Sequence, residues 1–373
     1  GAIVSLADYA ATWQTYNVTV APDGTDKIGS QNENAILNTQ GQSVTFVYVD
    51  STQGWINTMD STSNVRGLPP FVAATGGTII TSSCGNFKSH VFTGPGTFCV
   101  SSAGTPAGSN TVDYFIVAGG GASRYIAAPS GHSSAGGGGG FRVSNSYSIP
   151  APTMSPLANP TTIPISEQGY PITVGGGGTS PPSIPGGTQA PTGSVSTFST
   201  ITSAGGGGGG STGIGGAGGS GGSGSQGPTP TSGYSGGSGN TPPVSPPQGN
   251  PGGAGYDGIS SSNNSGGGGG AGAAGGNAGP SAGGIGGAGS FIADAFIGPT
   301  APSYGTPGPV GSTRYFAGGG GGSTDSGGGV GGVGGGGSGT ASPTSGTINT
   351  GGGAGARSAG GGSGIVIIRY KFQ

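Results

Sequence analysis

Charge is what this sequence has least of. Only 9 Lys and Arg and 11 Asp and Glu are spread over 373 residues, 5% of the chain, and the net charge is −2. Ordinary soluble chains carry roughly 25%. A chain so weakly charged has no electrostatic footprint for nucleic acid or an anionic membrane surface. It suits a part fixed in an assembly better than a freely diffusing enzyme. Leu occurs 4 times against 43 Val and Ile together. Leu favours helices and β-branched residues favour pleated surfaces, so almost no α-helix is expected. No apolar run approaches the roughly 20 residues of a membrane span, and no membrane insertion is expected. The opening residues lack the basic and apolar regions of a signal peptide. Carboxylates are too scattered for a paired acid/base site or a calcium cage, and 2 His with 2 Cys are too few for structural zinc. We expect no metal, no cofactor and no catalysis.

Cys84 and Cys99 lie near or within a segment, FKSHVFTGPGTFCV, that reads as a β-hairpin. With Gly94-Pro95 at the turn, His90 faces Cys99, and the two thiols sit about 20 Å apart at roughly 3.3 Å per strand residue. That is beyond disulfide reach, so both are expected as free thiols. His90 opposite Cys99 invites a thiolate–imidazole reading, but a surface His beside a buried small residue is the simpler one. Gly218-Gly219-Ser220-Gly221-Gly222 matches the nucleophile-elbow pattern. Its base would have to be His90 or His132, and no strand-turn-helix surrounds it, so the match reads as chance.

What the chain does have is glycine, 96 residues of it, with 29 Pro. The first 118 residues hold 13 of the glycines and both tryptophans, Trp13 and Trp55, and read as short strands between turns. TWQTYNVTV (12–20) and QSVTFVYVD (42–50) are expected strands, and Pro69-Pro70 marks a boundary because neither residue can donate to a ladder. GGTII, FKSHVF, GTFCV and TVDYFIVAG make a second β unit. In the last of these Val112, Tyr114 and Ile116 alternate with Asp113, Phe115 and Val117. GIVIIRYKF (364–372) is β-branched enough to be a buried strand, and we expect it to return to that sheet.

The glycine region lies between. Ile214, Ala217, Ser220, Ser223 and Gln226 are spaced by three, as are Ala282, Ile285, Ala288 and Phe291, and Val330 and Val333. Three residues per turn is the period of polyproline II. In such a rod the side chains form one edge, and bare backbone on the others lets neighbouring rods approach. The helix makes no internal hydrogen bonds, so buried backbone must be satisfied by neighbours. Glycine fills two positions of three, which excludes collagen. A flexible linker would not need this phasing. The runs at 136–140, 175–178, 205–210, 266–270, 318–322 and 334–337 are therefore expected rods, joined by Pro-rich connections. Tyr125, Tyr147, Tyr234, Tyr256, Phe296 and Tyr304 stand among small residues in those connections. They are the candidate recognition residues, by analogy with the Tyr/Ser/Gly mix of antibody loops. The alternative is that they only cap rod ends.

The phrases GAIVSLADYAATWQTYNVTVAP, GQSVTFVYVDSTQGWINTMDSTSNVRG and ATGGTII…FKSHVFTGPGTFCVSS resemble virion structural and tail-fibre proteins of marine tailed phages, especially cyanophages. VDYFIVAGGG…YPITVGGGG…GGSGIVIIRY resembles the glycine-rich domain that often follows in them. The resemblance covers nearly the whole chain. It is similar in style to the polyglycine-helix sandwich of T-even-type fibre adhesins and to the glycine-rich domain of anaplastic lymphoma kinase. The resemblance implies loops on glycine helices that bind host receptors, and fibres that are commonly homotrimers.

The expected fold is thus mainly β with a glycine-rich polyproline-II/polyglycine-II helix bundle and almost no α-helix. Residues 1–70 would form a β-rich attachment or oligomerisation domain. Residues 71–118 plus 363–373 would form a sandwich-like β base, and 119–362 the rod bundle with display loops. The expected function is a non-enzymatic virion appendage presenting loops to a host-surface glycan or protein. It would bind other virion proteins through its N-terminal region, as a homotrimer, and no nucleic acid. A purely structural capsid or neck decoration, or an extracellular filament subunit, is the alternative. A polysaccharide-degrading fibre is the third reading. It would need two carboxylates about 5–10 Å apart, and the glycine region offers almost none.

Overall fold

A computed structural model describes residues 1–61, 71–106, 108–125, 133–180, 189–210, 213–227, 233–256, 264–324 and 327–373. The chain divides into two compact units, Gly1–Pro69 and Pro70–Gln373.

In the first unit, strands β1 (Ile3–Ala7), β4 (Ser43–Asp50) and β5 (Gly54–Asp60) form an antiparallel sheet in the order β1-β4-β5. Strands β2 (Val18–Val20) and β3 (Ala35–Leu37) pair separately. Alternation along β4 puts Val44 and Phe46 inward with Leu37, against Trp13 and Trp55. The strand expected over 12–20 shrinks to its last three residues. The buried Asp8 carboxylate accepts the amides of Thr12 at 2.9 Å, Trp13 at 3.1 Å and Gly41 at 2.8 Å. Those donors are then lost to a ladder, and 12–16 turns instead.

The second unit is built on two facing sheets. One contains β6 (Val72–Thr75), β9 (Gly96–Ala103), β15 (Gly169–Thr173), β16 (Ser196–Phe198) and β17 (Ile201–Ser203), in the order β17-β16-β15-β9-β6. The other contains β7 (Thr78–Thr81), β8 (Phe87–Phe92), β10 (Thr111–Val117), β13 (Phe141–Val143) and β20 (Ile365–Lys371), ordered β13-β10-β20-β8-β7. A short β14 (Ile163–Pro164) also pairs with β10. The C-terminal strand is thus central, hydrogen-bonded to β10 on one side and β8 on the other.

This second sheet is buried on both faces, which explains its near-continuous apolar strands. Val112, Tyr114, Ile116, Val366, Ile368 and Tyr370 meet the facing sheet at Phe98 and Phe198. Phe115, Val117, Ile365 and Ile367 meet Phe141, Phe296 and Phe316 on the other side. The pair β18 (Ser290–Ala293) and β19 (Thr313–Phe316) and the four-residue helix α1 (Asp294–Ile297) cover that side.

The expected hairpin through Gly94-Pro95 does not form. Its two arms, β8 and β9, belong to different sheets. The apolar residues on both arms, among them Phe92 and Phe98, are used to face one another across the sandwich instead of pairing in one plane. His90 consequently points into the core, 0% exposed, while Cys99 lies on the surface, so the imagined thiolate–imidazole pair is not assembled. Cys84 and Cys99 are both free and exposed.

From this base the glycine segments rise as rods. In the central rod, Gly136 donates to Ala354 at 2.9 Å and Gly139 to Gly351 at 2.8 Å; Gly137 donates to Gly207 at 2.8 Å and Gly140 to Ala204 at 2.7 Å. Residues three apart therefore address the same neighbour, as a threefold helix requires. Gly138 turns to a third neighbour, Gly269, at 2.9 Å. The carbonyls of Gly136, Gly137, Gly138 and Gly140 accept from Gly320, Gly121, Ser220 and Ala118, so this rod is ringed by segments at 118–121, 204–207, 220, 269, 320 and 351–354. One expected rod is corrected. Residues 213–226 do not run straight but bend at 218–220, and Gly222 donates back to Gly216 at 2.9 Å. Ile214 is accordingly 60% exposed whereas Ser220 and Ser223 are 0% exposed, so they do not share an edge. The bend lets a single glycine-rich stretch supply two rods. The 282–291 segment does keep its outward phase, with Ile285 exposed and Gly284, Gly286 and Gly287 buried.

Candidate recognition surface at the bundle tip

Successive rods alternate in direction. Around the central rod, 118–122, 204–210 and 317–323 leave the base, while 135–141 and 265–271 return to it, as their crossed hydrogen bonds require. The residues at the base ends are Ala118, Phe141, Ala204, Ala271 and Ala317, all buried. Those at the far ends are polar: Ser134, Ser265, Ser323 and Thr324, also buried. Small apolar residues therefore close the rods where they meet the aromatic core, and hydroxyls close them where backbone groups run out of rod partners.

The far end forms one connected surface. Strands β11 (Arg124–Tyr125) and β12 (Ser133–Ser134) pair there, with Tyr125 opposite Ser133. The Ser133 and Ser323 hydroxyls are hydrogen-bonded, and Ser265 N donates to Ser323 O at 3.1 Å. Tyr256 N donates to Asn264 O at 3.1 Å, Gly255 N to Tyr234 O at 2.9 Å, and Tyr234 N to Ser225 O at 3.2 Å. Tyr125, Tyr234 and Tyr256 thus stand together at the tip, each half-buried. The Arg357 guanidinium donates to Thr324 O at 2.8 Å, and Asn264 donates to Gly279 at 2.7 Å and Pro280 at 2.9 Å, fixing the ends of the rods that carry them.

The other three candidates sit at the base. Phe296 is 0% exposed in the aromatic cluster, so no receptor can reach it and it leaves the candidate set. Its position on α1 lays it against Phe115, where burial of an aromatic ring is worth more than display. Tyr304 is half-buried against the same cluster. Tyr147 packs edge-on to Phe87, with centroids 5.0 Å apart, and shares a hydrogen bond with the Ser109 hydroxyl at 2.9 Å. The hydroxyl residues at the tip were missed by sequence reasoning, which followed aromatics. The available signal was a Ser at one end of a glycine run and an Ala at the other, as in Ser265 and Ala271 or Ala317 and Ser323.

Chemically the tip offers phenol groups on a fixed backbone, while its buried hydroxyls close the rods. It is an arrangement for hydrogen bonding and stacking. Ser220, centre of the nucleophile-like pattern, is buried among rods, and His132 lies outside the described residues. Among the described residues no group of His, Cys, Asp or Glu is placed to hold a metal ion, and no helix is long and apolar enough to cross a membrane.

A family model described as "Glycine-rich domain" matches residues 92–371, which takes in the strands of the β base from β9 onward, all the rods and the tip. No curated protein matches the sequence.

Proposed function

The chain belongs to the glycine-rich domain family, and from that premise we propose that it is a non-enzymatic virion appendage subunit, of the tail-fibre type of marine cyanobacterial phages, that binds a host-surface glycan or protein through the bundle tip. The observation that carries this reading is the up-and-down course of the rods, which gathers Tyr125, Tyr234 and Tyr256 at one end. A backbone pinned by inter-rod hydrogen bonds has little freedom left to lose on docking, which favours affinity per contact. The Gly1–Pro69 unit would make the contacts to other virion proteins and to two further copies in a homotrimer. In its favour, Ile3 at 66%, Val49 at 53% and Met59 at 64% exposure lie on the sheet face opposite Val44 and Phe46, and exposed apolar faces mark association surfaces. The location that follows is the virion, assembled in the host cytoplasm.

A purely structural role, as a capsid or neck decoration or a filament subunit, is favoured by one fact: the tip tyrosines are half-buried. The two readings separate on labelled full-length protein mixed with a panel of marine cyanobacteria. Recognition predicts saturable labelling of some strains, lost in a Tyr234→Ser/Tyr256→Ser variant whose melting curve is unchanged. Labelling that survives the double substitution overturns the tip as the binding surface, and no labelling of any strain favours the structural role.

A further inference from the structure

A second site lies far from the tip, where the β base meets α1. Ser82, Ser83, Cys84, Asp294, Ser312 and Arg369 line a cavity of about 570 Å³, within the size range of small-ligand sites. Arg369 comes from the central strand β20 and is only 4% exposed. Its guanidinium carbon lies over the Phe87 ring, 3.8 Å from the centroid, with the Phe296 ring at 5.6 Å. Nε and Nη1 are buried without a hydrogen-bond partner, so Nη2 is the nitrogen left to meet a ligand. The carboxylate opposite in the β10 register, Asp113, supports the Arg369 charge from a distance but accepts its hydrogen bonds from the Ser144 hydroxyl at 2.7 Å and the Ser146 amide at 3.0 Å. Across the cavity, Asp294 is half-buried with its Oδ1 shut away, so Oδ2 is the carboxylate oxygen left to accept from a ligand.

A cation this deeply buried gains from any anion that reaches its one accessible nitrogen. A guanidinium seated on aromatic rings holds that nitrogen in a fixed place for a carboxylate oxygen. Asp294 Oδ2 can take a donor from the ligand, and the three serines offer further hydroxyl partners.

We propose that this cavity binds a carboxylated sugar of the hexuronic acid type, with its carboxylate on Arg369 and a ring hydroxyl donated to Asp294. The choice of a sugar over another hydroxy acid rests on the host-surface reading above, whereas the need for an anion and a donor rests on the cavity alone. The hexuronate is either free or the end unit of a polysaccharide, and these sources share the recognised chemistry.

Cys84 provides a direct readout, because it lines the cavity while Cys99 is exposed on the other sheet. A hydrogen bond from Ser82 leads the influences that lower the Cys84 pKa below the ordinary thiol value, which favours the reactive thiolate. The experiment uses the full-length chain and follows alkylation of each cysteine by peptide mass. Sodium glucuronate and a glucuronate-terminated oligosaccharide are compared with glucose, sodium sulfate and glycine. Saturating glucuronate is expected to slow Cys84 alkylation about tenfold while leaving Cys99 unchanged, in proportion to site occupancy. Glucose, sulfate and glycine leave both rates unchanged. Protection by the oligosaccharide at lower concentration identifies the polysaccharide end as the source, and equal protection identifies the free sugar. Asp294→Asn is expected to weaken glucuronate protection about tenfold, the worth of one hydrogen bond to a charged group.

No protection by glucuronate at any concentration overturns the proposal. So does equal protection by sulfate or glycine, which marks a plain anion or zwitterion site. Because the readout is on purified protein, its failure leaves the cell-labelling test of the tip intact, and the reverse also holds.

Discussion

Gly139 lies so close to Ala118 that a Cβ on the glycine would fall on the alanine's carbonyl oxygen. Backbone, unlike a flexible side chain, cannot step aside, so Gly139→Ala must push a rod away and break bonds on several sides. We expect a loss of about 3 kcal/mol or more. Gly176 has nothing within 4 Å of the same hypothetical atom, and Gly176→Ala should change stability little. Denaturant midpoints of the two variants check the contrast. Equal midpoints would mean that the rods are not packed as described.

Ser223 tests the hydroxyls within the bundle. Its Oγ accepts the Ala135 amide at 2.7 Å, and both residues are fully buried. Ser223→Ala leaves that N–H without a partner, at a cost of about 1–3 kcal/mol. The measurement is again chemical denaturation, and a neutral substitution would show that water or another group reaches the amide.

His90 makes the fold pH-sensitive. Gly76 O can only accept, so Nδ1–H donates to it at 2.7 Å, and Nε2 accepts the Tyr370 hydroxyl at 3.0 Å. Burial, helped by the nearby Lys88 charge and opposed by the Gly76 bond, lowers the His90 pKa below its ordinary 6.5. Burial likewise pushes Tyr370 up to about 12. Below pH 6.5 the unfolded chain takes a proton that folded His90 resists. Its contribution is therefore fully present above pH 6.5 and is lost as pH falls from there toward the folded value. Melting temperature should drop between pH 7.5 and pH 5, and His90→Gln should flatten that dependence.

Phe115 joins the base to its cover. It is 0% exposed, with the rings of Phe316, Phe141 and Phe296 at 4.8, 5.1 and 6.5 Å. Phe115→Ala should cost about 3–5 kcal/mol, read as a lower denaturant midpoint with unchanged slope.

Much of this architecture was legible in the residues. The alternation Val112-Tyr114-Ile116 against Phe115-Val117 announced a strand with two apolar faces, and β20 declared itself by four consecutive β-branched residues. The three-residue phase revealed rods because bare backbone needs neighbours. Their bends were not legible, since Gly218-Gly219-Ser220 reads the same in a rod or a turn. Neither was the split of β8 from β9, because a Gly-Pro turn joins strands within one sheet or across two. The tip was visible only in part. Aromatic identity pointed equally to Tyr234 and Phe296, and only packing separates a tyrosine at a rod end from a ring in the core.

Amide hydrogen exchange on the full-length chain tests the central claim, that glycine rods form a hydrogen-bonded bundle. Amides at 136–140, at 206, 207 and 209, and at 318–322 each have a partner on another rod, so they should exchange as slowly as those of β10 and β20. Exchange at free-peptide rates there, with the strands still protected, would contradict the bundle and remove the fixed backbone on which the tip depends.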